Sequence, residues 1–169
     1  MNNAKFYLFL GVLAFLQIAF FSHFENNASI PNLFVLMLIW MSLNRSTIEM
    51  YKVAVIGGFF LDVYSTGSFG INVISLALFA MILQLITSRI FPKDAAFRLL
   101  ATFYFSGLLL YELVYFLVVF LSSYIDSSAF VSFADIFRLS LILQILYSLV
   151  LLYPIIYMSK RVLLNFDEK

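Results

Sequence analysis

The chain has no cysteine among its 169 residues and a single histidine, His23. Disulfides, thiolate metal sites and thiol catalysis are excluded, and no histidine cluster is available to hold a metal. Charge is scarce as well. Asp, Glu, Lys and Arg together make up 11% of the residues, where a soluble domain carries about a quarter. The three prolines and six glycines leave no proline-rich or glycine-rich tract. A formal net charge of +1 provides no broad field of one sign, so no nucleic-acid partner is expected.

What fills the chain is apolar: 64% hydrophobic residues, 21 Phe and 10 Tyr, with a mean hydropathy of +1.04. This composition predicts an all-α integral membrane protein. The apolar runs place six transmembrane helices at Phe6–His23, Pro31–Leu43, Tyr51–Tyr64, Ile71–Ile90, Phe97–Leu121 and Phe133–Ser159. Together they form a single domain over residues 1–169. The first run follows a basic residue, as a signal peptide would. It is long and lacks a small-residue cleavage site, so it reads as a retained anchor. The second and third runs are short, about 21 Å each by the helical rise, and predict a tight hairpin around Asn44–Met50.

The ten Lys and Arg fix the expected orientation. Lys5, then Arg45 and Lys52, then Arg89, Lys93 and Arg98, then Lys160, Arg161 and Lys169 fall on alternate connections. The gaps Ser22–Ile30, Ser65–Gly70 and Ser122–Ser132 hold none, and only Arg138 breaks the pattern. Cytoplasmic loops collect Lys and Arg, so both termini are expected inside. Pro31 suits a first helical turn, and Pro154 should kink the sixth span. Trp40 and Tyr51 at one end, with Tyr64 and Tyr124 at the other, fit interfacial belts.

Ionisable residues within membrane-length runs are expensive and face the bundle interior with a partner. Asp62, Glu112 and Arg138 are such residues, and by helical rise all three lean toward the outer half, with Asn72 and His23 at similar height. Three readings stand for this cluster. Arg138 forms a structural ion pair with Asp62, Glu112 or Asp135; or the group lines a polar cavity for a ligand or partner segment; or Arg138 and Asp135 sit at the interface. Tyr104, Leu108, Tyr111, Glu112 and Tyr115 share one face of the fifth span, and Ser140, Gln144, Tyr147 and Ser148 one face of the sixth. Both faces read as interhelical packing.

Gly57 and Gly58 allow close approach of another helix backbone. Gly67 and Gly70 permit positive φ, so Tyr64–Gly70 predicts a turn. Asp62, beside that turn, is expected to accept backbone N–H bonds from it. The G-x-S-x-G spacing of a hydrolase elbow is absent, Asp62 has no intramembrane Asp partner, and phosphate-cradling and zinc patterns are missing. A dyad of Ser68 with His23 is a weak alternative. No catalytic residue, cofactor or metal is expected.

Pro31–Leu36, a basic loop, Gly58-Phe59-Phe60-Leu61-Asp62, and then Gly67-Ser68-Phe69-Gly70 leading into the fourth span resemble the MreD family of rod-shape-determining proteins. The motif reaches from Pro31 to about Leu78, and beyond it the likeness is one of hydropathy and topology. The resemblance implies a multi-pass protein of the bacterial cytoplasmic (inner) membrane, acting without catalysis in the cell-elongation machinery, the elongasome of cell wall morphogenesis. It implies binding to MreC, a single-span protein, and through it a link to MreB, RodA and penicillin-binding protein, with membrane lipid around the bundle. The implied fold is similar to the substrate-binding subunits of energy-coupling-factor vitamin transporters. A small-molecule-binding subunit of such a transporter is therefore the alternative function, although Gly11, Ala14 and Ala19 lack the A-x-x-x-A docking pattern. The residues expected to shape a partner-binding or structural polar cluster are Gly58, Asp62, Gly67, Gly70, Asn72, Glu112 and Arg138.

Overall fold

The computed structural model describes residues 3–21, 32–44, 47–65, 68–90, 97–125, 147–148 and 150–151. These residues form five helices: α1 (Asn3–Phe21), α2 (Leu33–Asn44), α3 (Thr47–Tyr64), α4 (Ile71–Ile90) and α5 (Phe97–Ile125). Residues 147–148 and 150–151 are also helical, and the rest of the expected sixth span lies outside the described residues.

The helix boundaries correct three expectations. α2 begins at Leu33, so the first turn does not open on Pro31. α3 begins at Thr47, one turn before Tyr51, with Glu49 in its first turn, where a carboxylate complements the helix dipole. Its 18 residues make it longer than the short span expected, and the hairpin connection shrinks to Arg45 and Ser46. α5 runs on to Ile125 and reaches 29 residues.

Among the described residues, two helices are long and apolar enough to cross a membrane, Ile71–Arg89 and Thr102–Tyr124. The surface agrees with lipid around them. Leu8 and Phe15 on α1, Val55 and Phe59 on α3, Met81 and Leu85 on α4, and Leu113 and Leu117 on α5 are all exposed. Exposed large apolar side chains on four helices accord with a lipid surround.

α2 is the centre. Every residue from Leu33 to Met41 is buried, as suits a helix that is apolar on all sides. α1 packs on α3 and α2, α5 on α4 and α2, and α3 with α4 is the most extensive pairing. Lipid tails are as apolar as leucine, so burial alone gives little reason for helices to associate. Close packing and satisfied polar groups must hold them instead. Gly57 faces the ring of Phe34, and Gly107 faces the side chain of Ile39; both contacts let α2 sit close to its neighbours.

Trp40 is 2% exposed, which removes it from an interfacial belt: it packs inside the bundle as part of α2. Tyr64 and Tyr124 are exposed at the ends of their helices. Tyr147 is exposed while Ser148 is fully buried, so these two do not share one packed face.

Candidate functional site

The polar residues gather where α2 and α4 begin. A helix start leaves its first N–H groups without intrahelical partners, and in an apolar bundle no bulk water replaces them. Both starts are supplied from side chains.

At α2, Asn32 is the N-cap. Its Oδ1 accepts from the N–H of Phe34 at 3.1 Å and of Val35 at 3.3 Å, as asparagine does at this position. The remaining donor, the N–H of Leu33, is taken by Oε1 of Gln17 on α1 at 2.8 Å. Asn32 Nδ2 donates to the Tyr111 hydroxyl at 3.2 Å, which ties α5 to the start of α2. The Tyr111 ring also meets Phe79 of α4 edge-on, with centroids 5.4 Å apart.

At α4, the cap comes from Asp62, near the end of α3. Its Oδ1 accepts from the Asn72 N–H at 2.9 Å and from Asn72 Nδ2 at 3.0 Å, and its Oδ2 accepts from the Val73 N–H at 3.1 Å. The Ile71 N–H reaches the Ser68 carbonyl at 3.4 Å, and that of Ile74 reaches the Gly70 carbonyl at 2.9 Å. Every N–H of the first turn of α4 is thereby satisfied. Asp62 is only 4% exposed. A buried carboxylate is tolerated because three donors and the positive end of a helix face it.

Gly58 makes this geometry possible. It lies one turn before Asp62 on the same face of α3. A Cβ there would stand 2.5 Å from Val73 Cα and 2.8 Å from Val73 N. The absent side chain lets the first turn of α4 lie against the α3 backbone, within reach of the carboxylate. Gly70 supplies the bend, with φ at +98°, a conformation natural to glycine.

The structure thus brings Gly58, Asp62, Gly70 and Asn72 into one arrangement. Asp62 bonds to the opening turn of α4, beyond the loop expected to receive it. Gly57 accommodates a ring, not a backbone. Glu112 is half-buried on α5. Gly67 and Arg138 lie outside the described residues, as do His23 and Asp135. Gln17 and Asn32 were not anticipated. Asn32 did carry a signal, since an asparagine directly before an apolar run marks a helix start; Gln17 carried none beyond being polar in an apolar run.

No group of three or more His, Cys, Asp or Glu able to hold a metal occurs among the described residues. The arrangement is one of caps and close contacts. A family model described as rod shape-determining protein MreD matches residues 3–162. The chain belongs to the MreD family. Membership makes it a rod-shape-determining membrane protein, from a family of structural, shape-determining proteins. The MreD match includes both capped helix starts and the whole Gly58–Asp62 run. No curated protein and no solved structure matches the chain.

Proposed function

We propose that this MreD-family chain is a non-enzymatic scaffold of the bacterial cell-elongation machinery, multi-pass in the inner membrane, and that it docks an MreC-like single-span protein. Through that partner it would join MreB, RodA and penicillin-binding protein. Both termini face the cytoplasm in this reading, and the capped helix starts face outward. The six-helix form similar to energy-coupling-factor subunits belongs to the same proposal.

The observation that carries the reading is the Asp62 cap. It commits a buried carboxylate wholly to joining α3 and α4, which suits a part whose task is to hold shape. Around the cap, Phe59, Tyr64 and Phe69 are exposed, and Phe59 and Phe69 meet edge-on at 5.8 Å. A fixed turn would present these rings to a partner's membrane segment or its periplasmic base.

The test is a strain whose only copy carries Asp62→Leu, at protein levels matched to wild type. Cells should round up, and the MreC-like protein should no longer co-purify in detergent, while the variant still inserts. Normal rods with the partner retained would sink the proposal. Recovery of an ATPase module with the wild-type protein would replace it with the transporter alternative.

A further inference from the structure

α3 and α4 run antiparallel and are held at a common height where Asp62 meets Asn72 and Val73. From that level α3 descends about 15 Å to Lys52 and α4 about 25 Å to Arg89, at 1.5 Å per residue. Both side chains are exposed. Arg89 closes the membrane-length apolar segment of α4. Lys52 therefore stands about 10 Å further into the bundle's height than the cation that marks the membrane boundary on the adjacent helix.

Glu49 lies one turn below Lys52 on α3, and the surface above Lys52 is apolar. Val55, Phe59 and Val63 continue its exposed stripe at helical spacing. Below Lys52 only about one turn of α3 remains, in which half-buried Thr47 and Glu49 flank exposed Ile48. From Lys52 to exposed Tyr64 the stripe covers about 18 Å by helical rise, against about 30 Å for a bilayer's hydrocarbon core.

An ammonium group facing hydrocarbon is costly, and a lysine escapes by reaching for the headgroups. We propose that Lys52 binds the phosphate of an anionic phospholipid drawn up against α3. The leaflet boundary then steps upward between α4 and α3, and the bilayer thins along the α3 stripe to meet its short apolar length. Charge complementarity selects the phosphate. The remaining turn below Lys52, carrying Thr47 and Glu49, fits within a headgroup layer of about 5–8 Å per side. The competing occupant is a membrane helix with a carboxylate at this height.

The experiment uses the purified full-length protein in nanodiscs of phosphatidylcholine mixed with phosphatidylglycerol of identical acyl chains. Native mass spectrometry then counts the lipid retained on extraction. Wild type should keep phosphatidylglycerol in preference to phosphatidylcholine. Lys52→Gln should weaken that preference about fivefold, the equivalent of about 1 kcal/mol per lysine near an anionic surface. Lys52→Arg should restore it. Circular dichroism on each variant confirms that its helices persist, as expected for changes at an exposed position. Unchanged preference in Lys52→Gln overturns the proposal. So does a variant that keeps its lipid but loses a co-purified acidic membrane helix, which would give the stripe to a protein partner.

Discussion

Asp62 and Asn72 are joined twice: one carboxylate oxygen accepts both the backbone N–H of Asn72, at 2.9 Å, and its side-chain amide, at 3.0 Å. The other oxygen is held by Val73 at 3.1 Å. Both oxygens are therefore in use, and neither is spare for a substitute. Asparagine at position 62 keeps the shape but turns its amide donor toward a backbone donor here. Asp62→Asn should cost about 1–3 kcal/mol, and Asp62→Leu, which leaves every donor unmet, should cost more. Melting in detergent measures both, and wild-type melting of Asp62→Asn would remove the carboxylate from the account.

Gly58 and Gly107 should respond differently to alanine. At Gly58 the new methyl meets Val73 backbone at 2.5 Å, whereas at Gly107 it meets the end of the Ile39 side chain at 2.9 Å. Backbone cannot step aside without moving α4, while an isoleucine tip can turn. Gly58→Ala should destabilise by about 1–3 kcal/mol and Gly107→Ala by less. Because Gly58 and Asp62 act on the same helix start, Gly58→Ala with Asp62→Asn should fall short of the sum of the single effects. Full additivity in thermal melting would uncouple the glycine from the cap.

Asn32 does two jobs, capping α2 and holding Tyr111. Asn32→Ala should lose about 0.5–2 kcal/mol from the cap alone. Tyr111→Phe removes only the hydroxyl acceptor, and should cost about 1 kcal/mol. Equal losses in the two variants would mean that the Tyr111 contact, and not the cap, is what Asn32 supplies.

Among the described residues, Ser75, Tyr104 and Ser148 each bury a hydroxyl without a hydrogen-bond partner. Removing an unsatisfied polar atom relieves its desolvation. Ser75→Ala and Tyr104→Phe should leave the melting temperature unchanged or raise it. A drop of several degrees in either variant would reveal a bond that its hydroxyl makes in the membrane.

The orientation proposed from the Lys and Arg alternation is open to direct test. Single cysteines can be placed without background, because the chain has none of its own. In intact cells, cysteines at Ser46 and Lys93 should be shielded from impermeant thiol reagents, and those at Ser68 and Ser127 labelled. Labelling at Ser46 or Lys93 would invert the bundle.

Membrane class, the helix starts at Ile71 and Phe97, and the conjunction of Gly58, Asp62 and Gly70 as the place to look were legible from the residues alone. These follow from local rules: run length against bilayer thickness, and residue types that only certain backbone geometries favour. The residues alone did not determine which faces turn inward. On α1 the buried residues Phe9, Leu10, Leu13, Ala14 and Gln17 alternate with exposed Leu8, Val12 and Phe15, yet nearly all are equally apolar. In water a helix must hide its apolar face, which writes the fold into the pattern. In lipid both faces are apolar, and that record is lost. That α2 is central, that Trp40 is inside, and that Gln17 and Asp62 complete the first turns of other helices came from the packed bundle alone. The two caps depend on a donor and an acceptor brought together from separate helices, where an unmet N–H has no water to turn to.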